Sequence, residues 1–82
     1  MRRRDLDPGT AAGAPVGTPL RVTGVDLAPA LAVRLAQCGV RVGGTVTVAT
    51  RTAGGGRVLV AGTGRVAVDG ASAAAVRVEA AA

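Results

Sequence analysis

Apolar positions along this chain follow two different periods, and the places where the period changes mark out the elements. Leu20 and Val22 alternate with Arg21 and Thr23 and lead to Val25, which predicts a first strand beginning near Leu20. Asp26 and Pro29 then give a helix-entry signal, since an Asp oxygen accepts orphan amide protons and proline fits the first helical turn. Leu31, Leu35 and Cys38 follow at helical spacing, with Leu27 or Ala32 at the margin of the stripe, and Gly39 is placed to end the helix in a left-handed conformation. After Gly43 and Gly44 the period falls to two. Val46 and Val48 alternate with Thr45 and Thr47, and Val58 and Val60 alternate with Arg57 and Leu59, so two more strands are expected with the valines inward.

Glycines punctuate the second half of the chain. Ala53 to Gly56 predict a hairpin tip, and Gly62-Thr63-Gly64 a tighter turn into a strand carrying Val66 and Val68, which ends at Asp69-Gly70. Ala71 to Ala75 suit a single helical turn before a last strand in which Val76 and Val78 alternate with Arg77 and Glu79. Five short strands at near-even spacing, with one short helix between the first and second, predict a mainly β fold closed into a small barrel, because closure removes the exposed edges of a flat sheet. Residues 1–18 show no sustained period and hold Pro8 and Pro15, so they are expected to form a flexible arm ahead of a domain over residues 19–80.

Composition narrows the function. A chain of 82 residues buries only about 60% of its unfolded surface and supports one core. Hydrophobic residues make up 49% of it with no Phe, Trp or Tyr among them, so that core must be built from Val, Leu and Ala. Every basic residue is an Arg, and together with abundant Ala, Gly and Val this matches the bias of a GC-rich genome. The net charge of +5 would permit attraction to nucleic acid. Beyond Arg2, Arg3 and Arg4, however, the arginines are dispersed singly, and no aromatic platform exists on which bases could stack. Lone Cys38 excludes an internal disulfide and suits a reducing, cytoplasmic setting. Asp5, Asp7 and Pro8 interrupt the start where an export signal would need an apolar run, and no stretch of about 18 uncharged apolar residues could cross a bilayer.

The run Leu35-Ala36-Gln37-Cys38-Gly39-Val40-Arg41-Val42-Gly43-Gly44-Thr45-Val46-Thr47-Val48 resembles the signature of the ferrous-iron transport protein A (FeoA) family, a helix ending in Leu-x-x-x-Gly-Leu followed by x-x-Gly and a strand. Arg57 to Val68 resembles that family's Gly-bounded hairpin, and Ala73 with Val76 and Val78 its closing alanine and apolar strand. The resemblance implies an SH3-like five-stranded barrel and a cytoplasmic accessory protein of ferrous-iron uptake, reaching the membrane through its partner, that binds and modulates the FeoB-type GTPase-linked iron transporter. The same barrel in iron-dependent repressors follows a helix-turn-helix, which is missing here.

Reactive chemistry finds little support in the residues. There is no His, and Asp5, Asp7, Asp26, Asp69 and Glu79 are mostly far apart, so neither a ferrous-iron site nor a catalytic acid–base pair is expected, and no cofactor. Cys38 falls at the negative end of the helix dipole, a poor place for a thiolate nucleophile, and is assigned to core packing. Gly62-Thr63-Gly64-Arg65-Val66-Ala67 fits a loose dinucleotide fingerprint, but strand period follows it where a helix is required, and Gly54 to Gly56 lack the Lys of a phosphate loop. What remains is a contact surface. Candidate contact residues are Leu59, which the strand parity turns outward, Arg57, Arg51, the tip Gly54, Gly55 and Gly56, and Arg34 and Arg41 around the helix end. A nucleic-acid-binding barrel and a repressor-type regulatory barrel are the alternatives.

Overall fold

The computed structural model describes residues 9–81. Strand β1 (Pro19–Val25) turns Leu20 and Val22 inward, β2 (Thr45–Arg51) does the same with Val46 and Val48, and β5 (Val76–Ala80) with Val76 and Val78, as their alternation predicts. Helix α1 (Pro29–Gln37) separates β1 from β2, β3 (Arg57–Ala61) and β4 (Gly64–Val68) form a hairpin, and α2 (Gly70–Ala74) is the expected single turn before β5. All pairings are antiparallel and the strand order is β4-β3-β2-β1-β5. The chain is thus mainly β, five antiparallel strands in one SH3-like sheet with a short inserted helix.

The ladder does not close. Strands β4 and β5 form its two edges, and α2 carries the chain between them. What covers β5 instead is the segment assigned to the flexible arm. The Val78 N–H donates to the Gly9 carbonyl at 2.8 Å, the Ala11 N–H donates to the Val76 carbonyl at 2.9 Å, and Thr10 bridges Arg77 in antiparallel fashion. Ala11, Ala12 and Ala14 are buried in the same cluster as Leu20, Val22, Leu35 and Val76. The Gly17 N–H then reaches the Val48 carbonyl at 2.9 Å, so the segment crosses from β5 to β2. Residues 10–14 therefore belong to the packed unit. Small alanines have no period to betray them, yet they fit a core whose other members stop at leucine. Residues 1–8 of the expected arm lie outside the described residues.

Strand β3 is turned the other way round from the expectation. Arg57, Leu59 and Ala61 are the buried positions, while Val58 and Val60 are half-buried. The cause lies in β2, whose register slips between Val48 and Thr50 so that buried Val48 stands opposite Leu59. Leu59 thereby faces the interior with no exposed surface, beside Val48 and Val46 in the core. A second irregularity, between Val22 and Gly24 of β1, aligns Arg77 with Gly24. The Arg77 side chain lies across that bare glycine to reach Asp26, N–O 2.9 Å. Asp26 is consequently an ion-pair partner and not the cap of α1. The cap position is Ala28, which makes no side-chain bond, with proline next to it. Gly39 does stop the helix in the left-handed region, φ +93°.

Because Leu59 fills the interior, Leu59→Ala should lower the unfolding free energy by about 2–5 kcal/mol, a large part of a small domain's total of about 5–15. Val60→Ala on the other face should cost far less. Urea denaturation of the two variants checks this, and equal losses would contradict the observed strand parity.

Candidate partner-binding surface

Helix α1 lies alongside the β3–β4 hairpin and leaves a gap between them. Of its nine residues only Leu35 is buried, with Leu31 half-buried on the same stripe. The gap holds two depressions. One, of about 200 Å³, lies between Leu31, Arg34 and Leu35 of α1, Val66 to Val68 of β4, and Asp69 and Ser72 at the start of α2. The other, of about 240 Å³, lies at the end of α1 between Gln37, Cys38, Arg41, Ala61 and Gly64. Between helix and hairpin the backbones meet closely, since a methyl group on Gly64 would overlap the Cys38 carbonyl. Cys38 is half-buried and borders the second depression, a more open place than the core position its helical spacing implies.

The first depression is electrostatically mixed. At its α2 end the Ser72 N–H donates to Asp69 Oδ1 at 2.7 Å, making Asp69 the cap of α2. That hydrogen bond, supported by the Ser72 hydroxyl, holds the carboxyl below its ordinary value of 3.8. On the opposite wall Arg34 is exposed and makes no ion pair among the described residues, and the same holds for Arg41, Arg51 and Arg65 elsewhere on the surface. The positive charge of the described residues is therefore largely uncompensated, with Asp69 the one acidic group lining the first depression.

The expected contact residues divide into those the structure leaves available and those it withdraws. Arg34 and Arg41 are exposed and border the two depressions. Arg51, Gly54 and Gly55 are exposed at the other end of β2, where Ala53–Gly55 form a short 3-10 turn. Leu59 is in the core, Gly56 is buried against Thr52 and Val68, and Arg57 is only 8% exposed. Arg57 is a structural cation. Its Nη1 donates to the carbonyls of Gly55 (2.7 Å) and Gly56 (2.8 Å), its Nη2 donates to the Ala12 carbonyl (2.7 Å), and its Nε is buried without a partner among the described residues. It fastens the hairpin tip to the amino-terminal segment. Two exposed residues absent from the expected set join the surface: Val33 (56% exposed) and Val42 (63%), next in sequence to Arg34 and Arg41. A signal was available for Val33, which lies off the Leu31–Leu35 stripe.

Among the described residues no group of three or more His, Cys, Asp or Glu side chains is placed to hold a metal ion, and Asp5 and Asp7 lie outside those residues. The Gly62 to Ala67 run enters strand β4 and no helix, so it is a hairpin turn and not a dinucleotide site. No helix among the described residues is long and apolar enough to cross a membrane.

The described residues thus form a small mainly β, SH3-like domain with a helix inserted after its first strand and a mixed apolar and cationic gap beside it. The family profile described as the FeoA domain matches residues 10–80. The chain belongs to the FeoA family, whose members serve ferrous-iron transport systems. No curated protein matches the chain significantly.

Two consequences can be measured. Arg57→Ala should lower stability by more than about 1.5 kcal/mol, since it removes charge-assisted bonds to buried carbonyls, whereas Arg51→Ala should leave the urea midpoint unchanged. Asp69→Ala should destabilise the protein at neutral pH. The Asp69 carboxyl has a folded value below its unfolded one, so its contribution is present above 3.8 and disappears as pH falls through the lower folded value. The gap between wild type and Asp69→Ala should accordingly close in acid, and a gap that persists there would show that the carboxylate is not the source.

Proposed function

We propose that this chain is a cytoplasmic accessory component of ferrous-iron uptake that acts by contact, binding the cytoplasmic portion of a FeoB-type GTPase-linked iron transporter and modulating it. The observation that carries this reading is the FeoA match across residues 10–80, nearly the whole of the described chain. The surface is in keeping with it. Val33 and Val42 offer apolar area, and Arg34 and Arg41 beside them offer guanidinium forks, Arg being enriched where proteins meet. An acidic partner face studded with apolar side chains would complement it.

The test is co-purification of the transporter with the tagged chain from iron-limited cells. Wild type should recover it, and Arg34→Glu combined with Arg41→Glu should reduce recovery about tenfold, because reversing rim charges opposes the encounter. Ferrous-iron uptake should fall in cells lacking the chain. Failure to recover the transporter even after cross-linking, with uptake unchanged, would overturn the proposal.

A further inference from the structure

Of the sheet's two edges, one is already occupied by a bridging segment of the chain. Gly9 to Ala11 pair with β5, while β4 pairs only with β3 among the described residues. The backbone groups that β4 leaves over can be assigned from its turn. Gly62 and Thr63 form a two-residue loop with Gly62 at φ +60° and no positive φ at Thr63, a II′-type connection that makes Ala61 and Gly64 a hydrogen-bonded pair. Such pairs recur at every second residue of an antiparallel ladder, so Leu59–Val66 and Arg57–Val68 are hydrogen-bonded too. The N–H and C=O groups of Arg65 and Ala67 therefore point away from β3, and no backbone bond to them is made by any other described segment.

This edge opens on the 200 Å³ depression whose apolar members are Leu31, Leu35, Val66, Ala67 and Val68. A strand laid against Arg65 and Ala67 would alternate its side chains, one set entering that depression and the other standing beside Arg65 on the outer surface. Charge selects among occupants. Arg65 on the edge and Arg34 on the rim are exposed and form no ion pair among the described residues. A second copy of β4 would bring its own Arg65 alongside, which disfavours self-pairing. An acidic strand meets no such penalty at Arg65 or Arg34, and the one like charge lining the depression is Asp69, at its α2 end.

We propose that β4 is a strand-addition edge that takes an extended segment of a partner protein in which apolar and acidic residues alternate. The chemistry of that segment is fixed by this edge whichever protein supplies it, so the proposal goes beyond the transporter reading and does not depend on it.

The probe is the peptide acetyl-Asp-Val-Glu-Ile-Asp-Val-Glu-amide, titrated into the full chain and followed by amide NMR shifts and by fluorescence anisotropy of a labelled form. Binding should perturb the amides of Arg65 and Ala67 most strongly, and methylation of alternate peptide nitrogens should abolish it. Arg34→Glu combined with Arg65→Glu, both at exposed positions, should weaken binding at least about tenfold. Ala67→Pro removes one outward N–H without touching a β3 bond and should abolish binding; the double charge reversal decides the matter should the proline variant fail to fold. Equal affinity for a peptide with Lys in place of the acids, equal affinity of the N-methylated peptide, shifts centred elsewhere, or self-association through β4 would each overturn the proposal. Transporter capture that survives Arg34→Glu with Arg65→Glu would overturn the strip as that partner's seat and leave the proposed function standing. Peptide binding without any transporter capture would do the reverse.

Discussion

A core without a single aromatic ring has to be filled by bringing in more backbone, and this constraint governs the structure. Phe, Tyr and Trp each bury a large area at one position. Here the largest fully buried side chains are Leu35, Leu59 and five valines, which leave interior space that close packing does not tolerate. Ala11, Ala12 and Ala14 supply the missing volume, and their segment can do so only because β5 offers an edge to hold it. The open ladder and the docked segment are thus one solution to one problem. The barrel gives up closure between β4 and β5, and a strand-like segment takes a place on β5.

Much of this was legible in the chain because valine is an unambiguous marker when its neighbours are polar. Val46 and Val48 alternate with threonines, and Val76 and Val78 with Arg77 and Glu79, so each strand declares its inner face. Leu31 and Leu35 likewise declare the stripe of α1, and the glycines declare both hairpin turns. The parity of β3 was not legible. In Arg57-Val58-Leu59-Val60 both faces carry aliphatic groups, and the inner one also carries an arginine, which pattern reading assigns to solvent. Only the slip in β2 and three carbonyls converging on Arg57 settle it, and neither the slip nor the Ala12 carbonyl is local in sequence.

The exposure of the candidate contact residues was legible to the same degree and for the same reason. Arg34 and Arg41 follow the helix face and the loop after it, which local pattern describes well. Leu59, Arg57 and Gly56 depended on the parity and packing of a hairpin, which local pattern does not describe. Asp69 was read as the end of a strand when it also begins α2; its spacing to Ser72 is that of an N-cap with its third amide, a signal present in the chain but hidden among alanines.

The guanidinium of Arg57 has one further effect. Its three carbonyl partners come from two stretches of chain, Ala12, 45 residues before Arg57, on one side and its near neighbours Gly55 and Gly56 on the other. A buried cation that loses either set faces a desolvation cost with nothing to offset it. The amino-terminal segment cannot peel away while the sheet persists without exposing that cost, so the two melt as a single cooperative unit, and their slowest-exchanging amides should belong to one foldon.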